Sequence, residues 1–460
     1  MPDKPRTPKE RREYGRSLRE KTPRESHAEW SPAPGRPDPV ALLEGQNANR
    51  IPWLLPVRRA RMAASPFAFY RGGARIVAAD LARTPVSGIT TQICGDAHLA
   101  NFGAYASPER RLVFDLNDFD ETLPGPWEWD VKRLAASFII AGRHNGLSKK
   151  QSRDIARQTV RTYCAAMEML AAMRTTDIWY SMVEVDRVRD AVEAKGVRAD
   201  VGKAINKAKR KDSRHAMFRL TEQVGGTYRI RSEPPLLVPI RHIPDASLGD
   251  EIRRTSLDNL KGYMRNLPDH LDTILRKYRP VDFAIKVVGV GSVGTRCYIL
   301  LLEGRDHDDP LFLQIKQASE SVLEEHLPKS RYRNAGRRVI EGQHLMQTVS
   351  DIFLGWSTGS TTGNHYYWRQ LKDWKFSADV DNATRNNLEG FASLRGWTLA
   401  RAHARTGDPI AISGYLGSGK TFSRAMVEFA ERYADQNELD YRAFAGEIER
   451  GRLEAAELAP

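Results

Sequence analysis

The spacing of apolar residues changes character several times along the 460-residue chain. From about 51 to 90, "PVRRARMAASPFAFYRGGARIVAADLART" carries apolar positions at helical spacing, and the short stretch "GITTQIC" after it predicts a strand. A second strand, "RRLVFDLN", follows one loop later. From Trp129 to about Leu170 the period is helical again, in "WDVKRLAASFIIAGRHNG" and "KKQSRDIARQTVRTYCAAMEMLAAM", and mixed helical sequence runs on to about 279. Residues 281–375 then carry β-branched and aromatic runs between turn residues: "VDFAIKVVGVGSVGTRCYILLLEG", "PLFLQIKQA", "SDIFLGWST" and "NHYYWRQLKDW". These predict a small antiparallel sheet interrupted by one helix, "NAGRRVIEGQHLMQTV".

From Ala383 to the end the pattern is helical once more, while residues 1–50, polar, Arg-rich and Pro-containing, read as an extended basic arm. The expected organisation is therefore α+β: the arm at 1–50, a larger mostly helical unit at 51–280, a small β unit at 281–375, and helices at 376–460 that return to the larger unit.

Composition narrows the class without naming a function. Hydrophobic residues at 41% and charged residues at 28% describe an ordinary globular protein, and no apolar run reaches the roughly 18 residues that a membrane span needs. The basic start has no apolar segment behind it, so no secretory signal is expected. Three widely spaced cysteines, Cys94, Cys164 and Cys297, suit neither a disulfide framework nor a zinc knuckle and point to a cytoplasmic protein. The net charge of +13 favours polyanionic partners: nucleic acid, anionic lipid or phosphorylated small molecules. Its two dense runs are the arm and "GKAINKAKRKDSRH" at 202–215, a stretch that also reads as a solvated helix face.

One phosphate-binding pattern stands out. "GYLGSGKT", residues 414–421, matches G-x-x-x-x-G-K-T. Such a loop works only between a buried parallel strand and a helix, with a further strand delivering an Asp. The following sequence is helical in period with no such strand, and "DPIAIS" is a meagre strand before it, so the expectation is a glycine turn that starts a helix at about Thr421.

The densest polar constellation lies elsewhere. In "CGDAHLANFGAYASPERRLVFDLNDFDETLPGPWEWDVKRLAAS", Asp96, His98, Asn101, Asp115, Asn117, Asp118, Asp120 and Asp130 crowd the ends of two predicted strands. Carboxylates there are costly to bury unless they bind a cation or move a proton. Asp96 and Asn101 form D-x-x-x-x-N, the spacing of a phosphotransferase loop in which the Asp accepts the acceptor's proton and the Asn holds magnesium. Downstream, "VVGVGSVGTR" supplies Gly289, Gly291 and Gly294 as G-x-G-x-x-G between two predicted strands, and "LFLQIKQA" places Lys316 on the next one.

At these residues the chain resembles the kinase-like phosphotransferases, above all the aminoglycoside and choline kinase branch, whose loop reads H-G-D-x-H-x-x-N; here it is Cys94-Gly95-Asp96-Ala97-His98-Leu99-Ala100-Asn101. The resemblance implies a two-lobed protein-kinase-like fold that binds ATP and Mg2+, with the motifs in circularly permuted order: catalytic loop first, small nucleotide-covering lobe second. Asp96 would be catalytic, Asn101 and Asp118 would hold the metal, Asp115 would be a reserve ligand, and Asp130 a buried anchor. Asp120 stands where Asp-Phe is normally followed by Gly and could add a third metal carboxylate. The Gly289, Gly291 and Gly294 loop with Lys316 would hold the nucleotide phosphates. Lys316 would pair with Glu341, with Glu324 and Glu325 as alternatives. The rotated order requires Lys316 within side-chain reach of Asp118.

Nearly end to end, the chain also resembles the bacterial family known as domain of unknown function 2252, in "PRESHAEW", "CGDAHLANFG", "FDLNDFDET", "WEWDVKRLAAS", "IKVVGVGSVGT", "EGQHLMQ" and "GWTLARAHARTGD". The expected function is Mg-ATP-dependent transfer of phosphate, or of AMP, to a small hydroxyl or amine acceptor. Three rivals stay open: a two-metal phosphoesterase drawing on "GNHYY" at 363–367, a basic nucleic-acid-binding protein, and a pseudokinase.

Overall fold

The β-branched runs pair as their alternation predicts, in a computed structural model that describes residues 7–186, 206, 209–210, 213–243, 246–287, 289–360, 362–371, 374–377 and 379–457. Six strands form an antiparallel sheet in the order Gly355–Thr358, His365–Gln370, Pro310–Ala318, Cys297–Glu303, Arg279–Lys286 and Leu237–Pro239. Cys297–Glu303 is covered on both faces, which is why "CYILLLE" is apolar nearly throughout. Leu300, Leu302, Leu313 and Ile315 face one core with Tyr263, Leu271 and Trp368. Ile299, Leu301 and Phe312 face the other with Met217, Leu220 and Leu371.

The first of these cores draws on helices Ala246–Met264 and Asp269–Leu275, so the expected boundary at 280/281 is corrected. Periodicity identifies such helices but says nothing of which layer their apolar stripe covers, and here it covers the sheet. The basic stretch at 202–215 falls largely outside the described residues.

The fold is thus α+β, and its larger core is helical. Helices Trp127–His144, Lys149–Ala171, Arg385–Thr406 and Lys420–Glu449 meet around Leu134, Phe138, Met167, Leu399 and Met426. Arg385–Thr406 lies so close on Lys149–Ala171 that a Cβ at Gly396 would come within 2.4 Å of the Thr159 carbonyl oxygen. Strands Thr90–Ile93 and Leu123–Pro126 pair antiparallel, and Phe102–Ala106 pairs with Leu112–Leu116, so the Asp-rich loops emerge between the helical core and the six-stranded sheet. Among the described residues no helix is long and apolar enough to cross a membrane.

The N-terminal stretch expected to be extended is instead helical over Pro8–Lys21. Thr7 and Glu10 form a capping box, Pro8 occupies the first turn, and Gly15 lets the helix press on Pro409–Leu416. Arg11 pairs with Asp408 at 2.7 Å. The "GYLGSGKT" segment spans the end of helix Pro409–Leu416, a turn with Gly417 and Gly419 at positive φ, and the start of helix Lys420–Glu449. The carbonyl oxygens of Gly414, Tyr415 and Leu416 accept from Arg19 and Arg24, the reverse of an amide cradle for an anion.

Candidate functional site

The loop after Thr90–Ile93 is held from below by the first turn of helix Trp127–His144. Asp130 accepts from the backbone N–H groups of Cys94 and Gly95 at 2.7 and 2.9 Å, and His403 Nε2 lies 3.2 Å from it, so Asp130 anchors the loop. Gly95 sits at φ +80°, where a Cβ would lie 2.6 Å from the Glu121 carbonyl oxygen. One turn along the same helix, Arg133 donates from Nε to Asp96 Oδ1 at 2.8 Å, and the Asn101 amide donates to the Asp96 carbonyl oxygen at 2.7 Å. Burial raises the Asp96 carboxyl, Arg133 opposes that, and Asp118 and Glu121 add to it; the result is about 7. His98 is buried, accepts from the Ala100 N–H at 3.2 Å, and is kept neutral by burial and by Arg133.

Lys316 reaches this loop from the sheet. Its side chain is 3% exposed, with Nζ 2.7 Å from Asp120 Oδ2 and 3.8 Å from Asp118 Oδ1, while the Tyr367 hydroxyl donates to Asp120 Oδ1 at 2.5 Å. Lys316 and Tyr367 are register partners on adjacent strands, so the sheet itself sets the trio. Burial pulls the Lys316 ammonium down, but Asp118 and Asp120 more than offset it and hold it well above its ordinary value. Arg338, on helix Ala335–Met346, donates to the Asp120, Thr122 and Ser319 carbonyl oxygens at 2.7, 2.7 and 3.0 Å, clamping the Asp-rich loop to the segment after Lys316.

The glycine-rich loop joins the adjacent strands Arg279–Lys286 and Cys297–Glu303 and folds down over the same space. Arg58 donates to the Gly291 carbonyl oxygen at 2.8 Å, Arg61 to that of Gly289 at 2.6 Å, and the Ile51 N–H to that of Gly294 at 2.7 Å. A cleft of about 510 Å³ results, lined by Asp96, Asn101, Asp118, Asp120 and Glu121, by Gly289 and Gly291, and on its remaining wall by Arg50, Arg71 and Arg75. A second cleft of similar volume opens beside Gln314, Phe353 and Arg369; of the polar constellation read from the sequence it holds Asn117.

The cleft brings together Asp96, Asn101, Asp118, Asp120, Gly289 and Gly291, with Lys316 behind them, and leaves three expected residues out. Asp115 is buried within strand Leu112–Leu116, ion-paired to Arg401, and accepts from the Leu116 and Thr348 N–H groups at 2.9 and 3.2 Å; it is not a reserve ligand. Strand pleating turns its side chain toward helix Arg385–Thr406 rather than the loop that follows. Glu341 lies on the outer side of its helix, 3.4 Å from Arg337, while Val339, Ile340 and Gln343 take the buried side; the partner of Lys316 is Asp120 instead. Gly294 stands behind the cleft, where a Cβ would press on Arg50.

The alternatives Glu324 and Glu325 are occupied as well, Glu324 by the Ser321 N–H at 3.1 Å and Glu325 by Arg75 at 2.9 Å. His365, from "GNHYY", accepts from the Ala335 N–H at 3.1 Å, away from the carboxylates. Arg133, Arg338, Tyr367 and Glu121 were not legible in the chain: arginines and tyrosines on amphipathic elements carry no pattern until their neighbours are known. Glu121 adjoins the Asp-Phe-Asp signal and caps the Val322 N–H at 2.8 Å.

A divalent cation suits the donor set in one respect: Asp118 Oδ1 is buried without a hydrogen-bond partner. Among the described residues no three His, Cys, Asp or Glu side chains converge as a metal centre.

Residues 50–447 match the family model described as an uncharacterized protein conserved in bacteria, domain of unknown function 2252. No curated protein and no solved structure matches the chain. With the match spanning most of its length and covering every residue of the cleft from Arg50 onward, the chain belongs to that bacterial family, domain of unknown function 2252.

Proposed function

We propose that the protein is a Mg-ATP-dependent phosphotransferase with a kinase-like two-lobed fold whose parts run in circularly permuted order. The observation that carries this reading is the approach of Lys316 to Asp118 and Asp120, at 3.8 and 2.7 Å, although Lys316 lies 196 residues beyond Asp120 in the chain. Supporting it, the sheet follows the chain order strand, glycine-rich loop, strand, lysine strand, helix and two strands, as a kinase small lobe does.

In this reading Lys316 and the amides around Gly289 and Gly291 hold the nucleotide phosphates, and Asn101 with Asp118 holds magnesium. A magnesium ion held by these two side chains would supply charge neutralisation for the transferred group. Asp120 and Tyr367 orient Lys316 in the place of the usual helix glutamate. Asp96, close to neutral in its titration and fixed by Arg133, takes the proton of the acceptor hydroxyl or amine.

Calorimetric titration with Mg-ATP tests the assignment. Asp118→Ala and Lys316→Ala are each expected to weaken binding by about tenfold or more, the scale of a lost charge-assisted contact. Unchanged affinity in both would sink it. Asp96→Ala should bind Mg-ATP like the wild type and lose transfer to any acceptor that the wild type uses.

A further inference from the structure

The carboxylates of the cleft are engaged by protein groups: Asp96 by Arg133, Asp120 by Lys316 and Tyr367, Glu121 by Val322 and Ser321, and Asp118 by its longer ion pair with Lys316 at 3.8 Å. The cations on the opposite wall are not all so served. Arg75 pairs with Glu325 at 2.9 Å and donates to the Leu42 carbonyl oxygen. Arg50 donates to the Val293 carbonyl oxygen, yet its Nε is buried without a partner. Arg71 has no hydrogen bond or ion pair among the described residues; its Nε is buried and its guanidinium lies 6.0 Å from the Phe67 ring centroid. Arg71 is half-buried at the cleft wall, so part of its guanidinium is held out of water with no protein partner, and an anion in the cleft would supply one.

The position of Arg71 says which anion. The preceding residue, Tyr70, accepts through its carbonyl oxygen from Arg133 at 2.9 Å, and the same Arg133 holds Asp96. Arg71 therefore flanks the carboxylate assigned to the acceptor, whereas Lys316 comes from the sheet. Resting on the function proposed above, we infer that Arg71 binds a phosphate or carboxylate group carried by the acceptor, so that the substrate class is an anionic hydroxyl- or amine-bearing small molecule.

The probe is inorganic phosphate, titrated by calorimetry into full-length protein saturated with magnesium and a non-hydrolysable ATP analogue. The wild type is expected to show saturable one-site binding, weakened about tenfold or more in Arg71→Ala and partly restored in Arg71→Lys, with analogue affinity within about twofold of wild type in both. No saturable binding to the wild type, or equal binding in Arg71→Ala, overturns the inference. Loss of analogue affinity in Arg71→Ala also overturns it, because the guanidinium then serves the nucleotide. Should the wild type fail to bind the analogue, the phosphotransferase reading fails, and the same phosphate titration of nucleotide-free protein still decides the anion site: an Arg71-dependent signal keeps it and an Arg71-independent one removes it.

Discussion

His27 shows what burial does to a single side chain in this fold. It is fully buried, with Nε2 2.7 Å from the Tyr415 hydroxyl; burial, with Lys132 adding, lowers its titration from 6.5 to about 3. Between those values the unfolded chain binds one more proton than the folded one, so stability rises with pH across the window and is lost on acidification. The contribution is at most about 1.4 kcal/mol per pH unit. Urea titrations from pH 4 to 6.5 should give a shallower pH dependence in His27→Gln than in the wild type, and parallel curves would refute this. At the same scale, the meeting of Asp96, Asn101 and Asp118 in one cleft, with Lys316 behind them, agrees with the short patterns in which those residues stand. Asp115 and Glu341 were misread because a residue's type does not reveal the direction of its side chain: Arg401 took one, and solvent with Arg337 the other.

Between elements, the tightest approach links the N-terminal helix to the helix before "GSGKT". A Cβ at Gly15 would lie 2.0 Å from the Ala411 carbonyl oxygen, and one at Gly414 would lie 2.4 Å from that of Arg12. Gly15→Val should therefore push Pro8–Lys21 off Pro409–Leu416 at a cost of about 1–3 kcal/mol, the range for overpacking, read as a lower urea midpoint. Gly35→Ala, in open space at φ +72°, strains only the backbone and should cost less. A larger loss at Gly35 than at Gly15 would contradict this packing. The capping box that starts the helix, Thr7 with Glu10, was present in the chain, but the surrounding charge and proline read as an arm because the surface that the helix covers lies about 400 residues away. The same limit misplaced helices Ala246–Met264 and Asp269–Leu275: amphipathic period tells that a face is buried, not what buries it.

For the molecule as a whole, the proposed ligand sits where the sheet meets the helical core, so binding should stabilise both together. At a hundredfold excess over Kd, mass action adds about 2.7 kcal/mol. Differential scanning calorimetry at that Mg-ATP concentration should show the unfolding midpoint rise in the wild type and rise by about half as much or less in Asp118→Ala; a wild-type midpoint indifferent to Mg-ATP would count against the proposal. The chain by itself determined what depends on near neighbours: the strands and helices, the glycine turn in "GYLGSGKT", the loop from Cys94 to Asn101, and the strand bearing Lys316. Only the tertiary structure decided that Asp120 rather than Glu341 meets Lys316, that Arg133 holds Asp96, and that Arg71 reaches the cleft unpaired. Period and turn chemistry are local and can be read from spacing, whereas the partner of a buried charge is chosen by how distant layers pack, and packing is where the cost of burying that charge is decided.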